Sequence, residues 1–201
     1  LAAQRVLRSA PDGYTLLFGT TSDMVVTPIA NRNAGYSPRD FAPIGKVGVT
    51  QMVLLARPGL GVTTADQLVT LARQKPGALS VGTTGNASLQ AFAAVGLQRA
   101  AGIELLGVPY KGGAPLMNDL LAGQIDVGVA ALPTALGQIK AGKLLALGVL
   151  SEKRAAAAQD IPTVDESQTL KGVHIEIWAG LAGPPKLPAT ASTPSCIFSA
   201  S

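Results

Sequence analysis

The chain has 201 residues, 47% hydrophobic and 14% charged, with 16 basic against 12 acidic side chains and one cysteine. That composition fits a large aliphatic core in one domain or two small lobes, and the net charge of +4 favours an anionic ligand by long-range attraction. It speaks against a nucleic-acid surface, because Lys and Arg are scattered without interleaved aromatics; against a membrane span, because no apolar run approaches about 18 residues; and against an intrachain disulfide or multi-cysteine metal site, because Cys196 stands alone.

Leu1 to Ala10 has a helical pattern stopped by Pro11, Asp12 and Gly13, with no initiator Met and no signal segment before it, so upstream sequence is expected. Tyr14 to Phe18 reads as a buried strand. After Gly19, Thr20, Thr21 and Ser22, a short helix is expected from Met24 to Ala30, capped by Ser22 or Asp23. A loop follows, then a long extended stretch from Ile44 to Ala56. Thr64 with Gln67 predicts a capping box for a helix ending near Gln74.

From Leu79 a regular cycle begins. Strands are expected at Leu79–Gly82, Glu104–Pro109, Ile125–Ala130 and Leu144–Leu150, and helices at Ser88–Ala101, Ala114–Ala122 and Pro133–Ala141. Gly102, Gly123 and Gly142 stand where helix-ending glycines belong. Such alternation specifies an α/β fold with mostly parallel sheets covered by helices on both faces, which binds ligands outside the carboxyl ends of its strands. After Ser151 the composition shifts, marking a crossing between lobes. His174 to Leu181 reads as a further strand, and 189–201 as an irregular tail.

At the carboxyl end of the first strand in that cycle lies VGTTGNAS. Thr83, Thr84, Gly85, Asn86 and Ser88 combine hydroxyls, an amide and close backbone approach with a helix start, a setting that holds anions. No nucleophile and base stand together there, so binding is expected and catalysis is not. The competing reading, turn and cap residues only, applies to each of them singly. Asp126 is expected to make a structural hydrogen bond. Tyr110 and Lys111 end a strand near the crevice, with a solvated lysine as the competing reading. GQIKAGKL, with Gly137, Gly142 and Lys143, approaches a phosphate-binding loop but has Leu144 in place of the hydroxyl, and its glycines end a helix. His174 has no triad partners in sequence and is expected to be a packed or surface residue.

The motifs APDGYTLLFGTTS, DFAPIGKV, GTTGNAS, VPYKGGAP, LLAGQIDV, IKAGKLLALGV and DIPTVDES, in this order, resemble the extracytoplasmic solute receptors of tripartite tricarboxylate transporters, the Bordetella uptake gene family. The resemblance implies a periplasmic-binding-protein type II fold of two lobes: 1–48 in the first, 49–150 in the second, and 151–201 returning to the first. It implies periplasmic capture of a small carboxylate and its delivery to membrane transporter subunits, with no enzyme activity and no cofactor. A ligand-sensing domain of a transcription regulator with the same architecture is the alternative.

Carried across by motif, the ligand-binding positions are Thr20, Thr21 and Ser22 in the first lobe, and Gly82, Thr83, Gly85 and Ser88 in the second, beside Thr84 and Asn86 read from the loop itself. Ala87 replaces a family Gly, Ala91 a common His, and Ala130 with Ala131 an Asp-Asn pair. The family's opening strands and closing helices have no counterpart, so an incomplete copy of the family is expected.

Overall fold

In the computed structural model the described residues are 2–31, 33–85 and 88–188. They fall into two compact units, Leu1–Val49 with Ile177–Ser201, and Thr50–Glu176. The chain passes between them inside strand β2 (Ala42–Ala56) and at the start of β7 (Glu176–Gly183).

In the first unit, helix α1 (Ala2–Leu7) buries Ala3 and Val6 against Leu17, Met24, Phe41 and Ala182. Strand β1 (Leu17–Thr20) pairs antiparallel with β7, Leu17 opposite Ala182 and Thr20 opposite Ala179. The strand therefore starts three residues later than its apolar pattern predicts. The Asp12 carboxylate accepts the Tyr14 N–H and holds the preceding turn, leaving Tyr14 93% and Phe18 61% exposed. Beyond β1 the expected capped helix is replaced by a π-helical turn, Ser22–Val26, running into a short α2 (Thr27–Ala30). Neither Ser22 nor Asp23 caps it. Asp23 instead turns back to accept from the N–H and hydroxyl of Thr20.

The second unit holds α3 (Ala65–Gln74), β3 (Ser80–Thr83), α4 (Leu89–Ala101), β4 (Leu106–Pro109), α5 (Gly113–Leu121), β5 (Val127–Ala131), α6 (Leu132–Lys140) and β6 (Leu145–Val149). The strand order is β6-β2-β5-β3-β4. β3 is parallel to β4 and β5, as helical crossovers require. β2 is antiparallel to both β5 and β6, so the sheet is mixed rather than mostly parallel. The α6 crossover joins two parallel strands lying on either side of β2, and β2 enters from the other unit with no crossover to set its direction.

Met52 to Ala56 are all at most 1% exposed. Val53 and Leu55 join the α5 and α6 side chains Leu116, Leu120, Leu132 and Ala135 in one cluster, and alternation points Met52, Leu54 and Ala56 to the opposite face. α4 packs on β3 and β5. The Thr64 hydroxyl caps α3 at the Gln67 N–H, while the Gln67 amide oxygen reaches one residue further back than the capping box predicts, to the Thr63 N–H.

The segment from Ser151 to Glu176 stays with this second unit and does not cross at 151. Asp66, in the first turn of α3, accepts from the backbone of Gln168 and Thr169 and from the Thr169 hydroxyl. Ile175 N–H donates to Leu150 at 2.8 Å, and Leu170 and Val173 are buried. The alanine run that suggests a linker is held by Ala155 and Ala158, which enter the core.

Candidate functional site

β3 ends at Thr83 and α4 begins at Leu89, and Ser88 occupies the N-cap with extended backbone. Its hydroxyl accepts from the Ala91 N–H at 3.1 Å and donates to the Gly85 carbonyl at 3.1 Å. The Thr83 hydroxyl also donates to that carbonyl, at 3.3 Å. Gly85 has φ +89°, a conformation that glycine adopts without a Cβ penalty. The strand, loop and helix thus lie in the order and place that the sequence predicts, at the carboxyl end of a parallel strand.

Individual residues divide sharply. Gly82 lies within β3: a Cβ there would stand 2.5 Å from Ile125 Cδ1 and 3.1 Å from Leu116 Cγ, so its role is to let α5 seat on the sheet. Thr83 is buried, and its carbonyl accepts the Tyr110 N–H. Thr84 is half-buried, and its hydroxyl has no hydrogen-bond partner among the described residues. Ser88 is half-buried at the helix start, with the N–H groups of the first turn facing outward from α4 by helix geometry. Asn86 and the substituted Ala87 lie outside the described residues.

Two neighbouring strand ends flank this loop. At the end of β4, the Tyr110 hydroxyl donates to Asp119 at 2.8 Å; burial, then the hydrogen bond and charge of Asp119, push the phenol up to about 12, so it stays neutral. Lys111 follows, exposed. β5, paired with β3 through Val127 and Gly128, ends in Ala130 and half-buried Ala131, which caps α6 with no side-chain hydrogen bond. Asp126, before β5 at the opposite end of the sheet, accepts from Arg57 Nε at 3.0 Å and from the N–H and hydroxyl of Ser80. Burial pushes its pKa up, but the hydrogen bonds from Ser80 and Arg57 and the Arg57 charge outweigh it and hold the carboxyl below its usual range. It is a structural group. The sequence signals its role but not its partner Arg57, which sits 69 positions away.

In the first unit the three candidates are used differently. Thr20 is tied to Asp23. Thr21 is buried, accepting the Trp178 N–H at 2.9 Å and donating to the Trp178 carbonyl, so it fastens β7. Ser22 is half-buried, with no partner for its hydroxyl among the described residues. His174 is a partly exposed residue bonded to Asp165. Among the described residues no group of three His, Cys, Asp or Glu side chains could hold a metal ion, and no helix is long and apolar enough to cross a membrane.

The second unit is thus an α/β unit that carries hydroxyls at a strand-to-helix loop. The profile of the tripartite tricarboxylate transporter family receptor matches residues 1–192, and the chain belongs to that family, which is one of solute receptors and not of enzymes. It is 30% identical over 188 residues to a UPF0065 protein of Bordetella pertussis, covering 94% of this chain and 58% of that one. Rpa4515 of R. palustris, solved with adipate, superposes with TM-score 0.80 at 29% identity, over 95% of this chain and 64% of that one. MatC of Rhodopseudomonas palustris, with bound malate, superposes with TM-score 0.77 at 26% identity, over 96% and 66%. The chain thus spans less than two thirds of the length of its Bordetella pertussis relative.

Proposed function

We propose that this chain is part of a periplasmic receptor of the type II binding-protein architecture, its two units corresponding to the two lobes. It captures a small carboxylate and delivers it to the membrane subunits of a tripartite transporter. The observation that carries this reading is the β3–α4 loop. Thr84 offers a hydroxyl with no partner among the described residues, beside a 13-residue helix in whose first turn Ser88 takes up the N–H groups of Ala91 and Phe92, while those of Leu89 and Gln90 have no partner among the described residues. A carboxylate there gains charge-assisted hydrogen bonds and a favourable helix dipole. Adipate and malate on the two superposable proteins support the same ligand class. In the first unit, Thr20 and Thr21 are already engaged, and Ser22 is the candidate whose hydroxyl has no partner among the described residues.

Calorimetric titration with adipate and with malate tests this. Replacing Thr84 with valine keeps the shape and removes the hydroxyl, and a hydrogen bond to a charged group is worth about 1.5–3 kcal/mol, so affinity falls at least about tenfold. The melting temperature stays the same, because the hydroxyl has no hydrogen-bond partner among the described residues. Unchanged affinity would remove Thr84 from the site, and no heat with either acid would remove the carboxylate reading.

A further inference from the structure

We propose that Lys111 is the specificity-determining cation of this site, selecting ligands that carry a second negative charge. The inference rests on the carboxylate reading of the β3–α4 loop and deepens it. Thr83 and Pro109 are partners in the parallel ladder, and the Tyr110 N–H donates to the Thr83 carbonyl at 2.8 Å. Lys111 therefore leaves the sheet one strand away from the loop, about 4.8 Å across.

Its starting point is fixed, because Asp119 holds the Tyr110 side chain. Its surroundings are open, since a Cβ on Gly112 or Gly113 would meet nothing within 4 Å. Lys111 is exposed and makes no ion pair or hydrogen bond among the described residues.

One carboxylate stands near it, and it is already engaged. Of the acidic side chains flanking β3, β4 and β5, Glu104 precedes β4 and Asp126 precedes β5, both at the amino ends, and Asp126 is bound to Arg57 and Ser80. Asp119 keeps its negative charge while accepting from the neutral Tyr110 phenol, and it forms no ion pair with Lys111 among the described residues. The end of β5 is alanine, Ala130 and Ala131. A ligand lying along these strand ends meets backbone N–H groups and hydroxyls at the loop, an apolar surface at β5 and one unpaired ammonium at β4. A diacid satisfies both polar places. A monoacid leaves Lys111 to water, and an amino group would be repelled by it.

The test is calorimetric titration of the protein with adipate and with hexanoate, which share six carbons and differ in the second carboxylate. An exposed ion pair contributes at most about 1 kcal/mol, so adipate binds about fivefold more tightly than hexanoate. In Lys111→Gln that preference disappears through weaker adipate binding, with hexanoate unchanged; Lys111→Arg retains it. Raising the salt concentration narrows the preference in the parent and leaves the glutamine variant unaffected.

A preference that persists in Lys111→Gln overturns the proposal while leaving the carboxylate site standing. Equal loss for both acids also overturns it, by showing that Lys111 serves the shared carboxylate. Failure of the parent to bind either acid overturns the carboxylate reading itself.

Discussion

Gly82→Val is expected to destabilise the second unit by about 3 kcal/mol, the upper part of the usual range for forcing bulk into a packed core. Valine favours strands over glycine by up to about 1 kcal/mol, so local propensity acts in the opposite direction and loses. The reason is that valine adds three carbons where its Cβ alone already stands 2.5 Å from Ile125 Cδ1 and 3.1 Å from the Leu116 branch carbon Cγ, and both side chains are buried with little room to move aside. Gly82 is paired in register with Gly128, whose own Cβ position is 3.1 Å from Leu116 and 3.3 Å from Leu120. The two glycines make a flat patch on which the leucines of α5 sit. Gly128→Ala meets only flexible methyl groups and costs about 1 kcal/mol, the lower end of the same range. Thermal unfolding followed by circular dichroism measures both, and a Gly82→Val melting temperature equal to the parent's would show that α5 does not pack there.

Asp126→Ala is expected to cost about 2–3 kcal/mol, because three donors, Arg57 Nε and the N–H and hydroxyl of Ser80, lose their acceptor in a partly buried place. Its pH dependence has a definite sign. The folded carboxyl titrates below the ordinary 3.8, so its contribution is fully present above that value and is lost as the pH falls through the lower, folded one. Urea unfolding of parent and variant from neutral pH downwards reads this directly. The gap between them stays constant to about pH 5 and narrows below it. A gap independent of pH down to acid unfolding would mean that the charge of Asp126 contributes nothing.

Much of the second unit is legible in its sequence because its signals are local. Gly102, Gly123 and Gly142 all adopt the positive φ that their placement after helices predicts, and Ser88 caps the helix it precedes. What escapes is what depends on distant partners. The direction of β2 is set by strands β5 and β6, far along the chain. The role of Thr21 is set by Trp178, 157 residues away, so a hydroxyl that looks available is spent on β7. Gly82 looks like a loop glycine beside Thr83, and only the approach of Leu116 reveals it as a packing position. The π-helical turn at Ser22–Val26 has no sequence signal that separates it from an ordinary helix start.

The placement of β2 also dictates an order of events during synthesis. Its five apolar residues, Met52 to Ala56, are made well before the partners that cover their edges, Val127 to Ala131 and Leu145 to Val149. Until Val127–Ala131 has been made this segment has two open edges, and until Leu145–Val149 has been made it keeps one, a state prone to sticking to other chains. Closing the sheet then requires joining segments far apart in sequence, which makes folding slow relative to a chain of local contacts. The stretch most exposed to mispairing before the sheet closes is therefore Met52–Ala56 rather than the binding loop.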